Sequence, residues 1–131
     1  MHYIRLLHPK HFDCERNEFK SLAFKNYDGG ASVVQRECVD STSTSICEHI
    51  RKFYPNTGGD PAIFWVFPQT AIPAGGTLVP IPSDTGDDCH HDITGLSDKQ
   101  LRGFLKSSSL PDYQICDPAI GARQLERADL P

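Results

Sequence analysis

The chain lacks the cysteine spacing of a zinc ribbon or a redox motif: Cys14, Cys38, Cys47, Cys89 and Cys116 include no C-x-x-C pair. An odd number of thiols at irregular intervals signals no disulfide framework, so reduced cysteines and a cytoplasmic setting are expected. Long apolar runs are missing too. The longest, Ala62 to Phe67, is six residues, against the about 20 needed for a helix that crosses a bilayer. Met1 to Pro9 is interrupted by Arg5 and closed by proline, too short for a signal-peptide core. No membrane partner is expected.

A basic excess is also absent. Thirteen Lys and Arg stand against seventeen Asp and Glu, a formal charge of −4, which excludes non-specific DNA binding driven by counterion release. There is no G-x-G-x-x-G, no Walker sequence and no G-x-S-x-G elbow. The glycine pairs at 29–30, 58–59 and 75–76 therefore read as turns, and no cofactor is expected.

What is present suits one folded unit. The chain has 131 residues, 38% of them hydrophobic, with seven Phe, four Tyr and one Trp, enough for a single core. Ten Gly and ten Pro predict short elements and many turns. Tyr3 to Leu7 reads as an opening strand stopped by His8-Pro9. Ser21 to Phe24 is a second short apolar piece before turn chemistry at Asn26 to Gly30. Ala31 to Val39 reads as a strand whose alternation is broken by Gln35, Arg36 and Glu37. Ser45 and Glu48 make a capping box ahead of Ile46, Ile50 and Phe53, so a helix is predicted over about 44–54.

After the turn Asn56 to Pro61, Ala62 to Phe67 is apolar on both alternating faces and reads as a core strand. Thr77 to Ile81 is a further strand, held to an edge or an end by Pro80. Ser97 and Gln100 start a helix over about 98–106. Beyond Pro111, Asp117-Pro118 is placed to cap a last short helix. The expected fold is α+β, a small, mostly antiparallel sheet with two to three helices. Residues 1–106 form its compact domain and 107–131 a C-terminal tail, docked or mobile.

The densest chemistry lies in Ser83 to Leu96, where Asp84, Asp87, Asp88 and Asp92 surround Cys89, His90 and His91. So many titratable groups lose solvation if buried. Catalysis, a metal, a partner surface and a solvated turn are the open readings. If His90 to Ile93 is extended, His91 shares a face with Ile93 and is the more inward imidazole, while His90 shares the other face with Asp92. His91 is then the candidate general acid or base, with His8 as a second. No metal is expected, because adjacent Cys89, His90 and His91 cannot all converge on one ion, and the aspartates lack calcium-loop spacing. Arg5 is the candidate anion anchor, since a guanidinium offers paired donors to a phosphate or carboxylate. Asp84, Asp87 and Asp88 are the candidate partner surface.

The ordered set Arg5, His8-Pro9, Ser21-x-Ala23-Phe24, Ser32-Val33 and His91-x-Ile93-x-Gly95-Leu96 resembles a small bacterial domain family found near defence or toxin loci. The resemblance covers roughly residues 3–105. More loosely, a strand arginine followed by serine-bearing strands is similar to RES-type, ADP-ribosyltransferase-like toxins, which consume NAD. That similarity implies substrate binding by Arg5 and Ser32, although the chain has no G-G-R-W-N segment. The leading expectation is a binding or partner-dependent protein engaging a protein partner. The alternative is a nucleotide- or RNA-directed enzyme in which Arg5 holds phosphate and His91 moves the proton. A catalytic site requires Arg5, His8 and His91 to converge in one pocket.

Overall fold

The computed structural model describes residues 1–20, 30–55, 61–81 and 86–130. The expected apolar piece 21–24, the turn residues 26–29 and 56–60, and Asp84 lie outside the described residues. Among the described residues the chain forms β1 (His2–Leu7), β2 (Phe12–Asp13), β3 (Glu18–Phe19), β4 (Gly30–Gln35), α1 (Arg36–Ser41) and α2 (Ile46–Phe53). These are followed by β5 (Ile63–Pro68), β6 (Thr77–Pro80), β7 (His90–Thr94), α3 (Asp98–Lys106), β8 (Tyr113–Asp117) and β9 (Gly121–Gln124).

Seven strands make one sheet in the order β6-β7-β4-β1-β5-β8-β9, and every pairing is antiparallel. A small hairpin of β2 and β3 stands apart from it. The fold is α+β. β1 is central because it can bury both faces. Tyr3 and Leu7 enter one apolar cluster with Trp65, Phe67 and the α3 residues Leu101, Phe104 and Leu105. Ile4 enters another with Val34, Phe64, Val39 of α1, and Ile46 and Ile50 of α2. Helices therefore cover both faces of the sheet, which explains why Ile63 to Phe67 is apolar in both phases. Phe104 sets the α3 side, its ring 4.7 Å from Trp65 and 5.0 Å from Phe67.

Both predicted capping boxes mark real helix starts. The Ser45 hydroxyl accepts from the Glu48 amide at 3.2 Å, and the Ser97 hydroxyl accepts from Gln100 N while Gln100 Oε1 accepts from Ser97 N. The strand expected over 31–39 stops at Gln35, where the polar run Gln35-Arg36-Glu37 breaks the alternation and the chain becomes helical. The last carbonyls of α1 are taken by side chains: Ser41 Oγ donates to Cys38 O at 2.6 Å and Thr42 Oγ1 to Val39 O at 2.7 Å. Ser43, at φ 59°, then turns the backbone out of the helix.

The C-terminal part is built into the sheet, and Asp117-Pro118 opens a strand turn rather than a helix. β8 pairs with β5 and β9 with β8, and Tyr113, Ile115, Leu125 and Leu130 are buried in the core. The free edge of β5 supplies the reason, since its unpaired backbone groups are satisfied by a further antiparallel strand. Asp117-Pro118 opens a turn in which Asp117 Oδ1 accepts from Ala119 N at 2.8 Å. Arg123 pins the end of the chain: Nη1 and Nη2 each donate to an Asp129 oxygen at 2.8 Å, and Nε donates to Asp117. Those contacts hold the Asp129 carboxyl down to about 2.

Four of the five cysteines are bonded in pairs, which corrects the expectation of reduced thiols. Cys38 of α1 joins Cys89 ahead of β7, and Cys47 of α2 joins Cys116 of β8, with Cα separations of 5.5 and 5.6 Å. Cys14, which is exposed, stands outside both bonds. The pairings link residues 51 and 69 positions apart, so no local spacing rule exposes them. No helix among the described residues is long and apolar enough to cross a membrane.

Candidate functional site

The sheet face under α1 and α2 gathers most of the buried polar chemistry. His49 lies between Ile46 and Ile50 on the inward side of α2 and is only 3% exposed. Gly86, at φ 85°, leads the chain into a turn that carries Asp87 to full burial. The Asp87 carboxylate closes that turn locally, Oδ1 accepting from Cys89 N at 2.9 Å. On its other oxygen, Oδ2, it accepts from the Tyr54 hydroxyl and stands 2.9 Å from Nε2 of His49. Burial by itself raises this carboxyl, but the adjacent His49 ring and the donors Tyr54 and Cys89 N together outweigh it and hold Asp87 below its ordinary value. The His49 nitrogen lies off the axis of a straight N–H···O bond and has no hydrogen-bond partner. Donor atoms of His49, Asp87 and Cys89 all lie within 4.8 Å of one another.

A second polar group lies across β4 and β7. Strand register pairs Ser32 with Asp92 and Val34 with His90. Ser32 Oγ is 2.6 Å from His90 Nε2, and His90 Nδ1 is 2.6 Å from the Ile81 carbonyl. A carbonyl only accepts, so Nδ1 carries a proton; in the neutral ring Nε2 is then the acceptor and the exposed Ser32 hydroxyl donates. Asp92 Oδ1 sits 3.5 Å from the same Nε2. A Cβ on Gly30 would come to 2.9 Å from Asp92 Oδ2, so glycine there leaves space for the carboxylate. From β1, Arg5 Nη1 donates to the Ser32 carbonyl at 2.8 Å.

Strand alternation is as expected: His91 and Ile93 share one face, His90 and Asp92 the other. The inward choice is reversed, since His90 is buried and His91 half-buried. Alternation fixes only which residues share a face, and here both faces are covered. His91 Nδ1 donates to Cys89 O at 3.2 Å and its ring meets Tyr3 edge-on at 5.4 Å. His8 accepts from Lys10 N at 3.1 Å and caps a single 3-10 turn (Pro9–His11). Its ring lies 6.0 Å from that of His11. The His11 imidazole is lowered from its ordinary value, first by burial and then by the positive charges of Lys10, His8, Arg5 and Lys20.

Arg5 and His8 thus gather around His11, while His91 is held by Tyr3 and Cys89. Of the acidic residues expected to face a partner, Asp88 is exposed, but Asp87 is wholly buried and serves the interior. The sequence reading missed His49, Tyr54 and His90. His49 had a legible signal, its place at i+3 from Ile46 on the apolar stripe of α2; the contact with Asp87, 38 positions away in sequence, had none. The class defined by these features is a small antiparallel α+β domain with two cystines and a buried imidazole–carboxylate pair. Comparison with protein-family models, curated proteins and solved structures finds no match to this chain.

Proposed function

We propose that the chain is a partner-dependent binding domain whose protein partner presents carboxylates to the cationic edge of Arg5, His8, Lys10, His11 and Lys20. The observation that carries this reading is the edge itself. Lys10 and Lys20 are exposed, and among the described residues no carboxylate forms an ion pair with Lys10, Lys20, His8 or His11. A chain of net charge −4 favours a protein segment over nucleic acid as the source of the anions. The burial of Asp87 moves the interaction away from the acidic turn. A place beside a defence or toxin locus, implied by the resemblance of residues 3–105, belongs to the same proposal. The cystines support an oxidising compartment, in place of a cytoplasmic one inferred from reduced thiols.

Reversing two exposed charges, Lys10→Glu with Lys20→Glu, is expected to weaken binding of a poly-glutamate peptide about 10-fold in low salt. The wild-type affinity itself falls as salt is raised. Carboxylates at the edge favour the charged form of His11, so binding takes up a proton and strengthens as pH falls towards and below about 6.5. Calorimetry in two buffers of different ionisation enthalpy reads that proton. Equal affinity of wild type and double variant, with no proton uptake, rejects the reading.

One observation favours a nucleotide- or RNA-directed enzyme as the second reading: the Ser32–His90 contact has the order nucleophile, base, orienting carbonyl. The base in that reading is His90 rather than His91, with Arg5 still the phosphate anchor. A fluorophosphonate probe separates the two. Labelling of Ser32 that disappears in His90→Gln supports the enzyme, and an unlabelled, folded protein supports the binding domain.

A further inference from the structure

We propose that reduction of the Cys38–Cys89 cystine converts the buried pocket between α2 and the 86–89 turn into a zinc site. Its ligands are Cys89 Sγ, His49 Nε2, Asp87 Oδ2 and Cys38 Sγ. The spacing of Cys89, His90 and His91 along the chain argued against a metal; in space Cys89 meets a different histidine, His49. Two sulfurs, one imidazole nitrogen and one carboxylate oxygen are a donor set zinc takes tetrahedrally.

The geometry points to a common centre. With Zn–N and Zn–O near 2.1 Å and Zn–S near 2.3 Å, tetrahedral ligands sit about 3.3–3.8 Å apart, and the three donors of His49, Asp87 and Cys89 already lie within 4.8 Å of one another. His49 Nε2 and Asp87 Oδ2 are 2.9 Å apart, yet the nitrogen has no hydrogen-bond partner. A tetrahedral ion requires that pair to open by about 0.4 Å, and no hydrogen bond from the nitrogen opposes the movement. All three residues are buried. The carboxylate is oriented by donors outside the donor set, the Tyr54 hydroxyl and Cys89 N, as carboxylate ligands are in metal sites. Cys38, one bond from Cys89, is carried by the six-residue α1.

The chemistry balances with a dithiol as reductant. Two electrons break the S–S bond, the dithiol closes to its own disulfide, and its two protons complete the Cys38 and Cys89 thiols. Zinc then displaces both thiol protons to solvent and takes His49 through its neutral nitrogen. The oxidised form has one sulfur pair locked together; the reduced form has two separate thiolates to offer. The same residues therefore brace the fold as a cystine under oxidising conditions and as a metal centre under reducing ones.

Cobalt(II), followed by zinc competition, tests this on the full chain in a Cys14→Ser background. The phosphine-reduced protein is expected to take up about one equivalent, with a thiolate-to-cobalt charge-transfer band and four-coordinate d–d bands. The oxidised protein shows neither. Cys38→Ser, which keeps the Cys47–Cys116 bond and frees Cys89, retains the charge-transfer band at reduced intensity, and His49→Ala abolishes stoichiometric uptake. Equal uptake by oxidised protein, or unchanged uptake by His49→Ala, overturns the proposal. So does a natively folded Cys38→Ser chain that lacks the band. Where Cys38→Ser does not fold, reduced wild type decides: failure to bind cobalt, with or without its native circular dichroism, is equally fatal.

Discussion

Asp87→Ala is expected to destabilise the fold by about 2–6 kcal/mol, because two buried donors lose their acceptor at about 1–3 kcal/mol each. The carboxylate is wholly buried and receives donors from Cys89 N and Tyr54, with His49 at 2.9 Å. Alanine leaves the hydroxyl and the amide without an acceptor inside the core, and unsatisfied buried groups cost more than the bonds contributed. Asp87→Asn keeps the shape and one acceptor, so its cost is smaller, about 1–3 kcal/mol. Because His49 and Asp87 touch, the double variant His49→Ala/Asp87→Ala costs less than the sum of the two singles.

Urea unfolding at neutral pH reads these values from the midpoint at constant slope. The pH dependence has a definite sign. Asp87 is held below its ordinary value in the folded chain, so its contribution is fully present above the unfolded carboxyl value of about 3.9. It is lost as pH falls through the lower folded value. The gap between wild type and Asp87→Asn therefore narrows below about pH 4 and is flat above it. A cost under about 1 kcal/mol for Asp87→Ala would show that the pocket relaxes around the missing carboxylate.

The paired substitution Cys47→Ser/Cys116→Ser is expected to cost about 4 kcal/mol. The bond closes a segment of 69 positions, and loop-closure entropy at that length is worth about 4 kcal/mol. It also ties α2 to β8, the strand that covers the edge of β5. Against a typical total of about 5–15 kcal/mol, that loss lowers the thermal midpoint by many degrees. Wild type in dithiothreitol loses at least as much, because Cys38–Cys89 opens as well. If the serine pair unfolds at the wild-type midpoint, the bond contributes nothing beyond what the core already supplies.

Much of the architecture was legible in local chemistry. The Ser45 and Ser97 caps placed α2 and α3, since a cap is a contact over three residues. The double-faced apolar run at Ile63 to Phe67 announced a strand covered on both sides. Period-two alternation separated His90 from His91. The same alternation did not say which of them was buried, because that depends on which layer covers each face. The C-terminal strands were hidden for a related reason: β9 (Gly121–Gln124) is Gly-Ala-Arg-Gln, has no strand composition, and is extended because β8 offers it an edge.

The site was less legible than the fold. Arg5, Ser32, His8 and His91 are each legible as candidates, but the partners of Arg5, Ser32 and His91 are a carbonyl, a buried imidazole and a tyrosine ring on other elements, and His8 only caps its own turn. Asp87 reads as one of several solvated acids in sequence and is wholly buried, whereas its neighbour Asp88 is exposed.

By itself, the sequence determined the class of the fold, the caps of α2 and α3, and the phase of β5 and β7, because those are set by neighbours within a few residues. Only the tertiary structure decided which cysteines pair, that His49 meets Asp87 beneath α2, and that His90 rather than His91 faces Ser32. Those contacts join positions tens of residues apart in sequence. Their energy comes from burial and strand register, and neither exists until the sheet has closed between its helices.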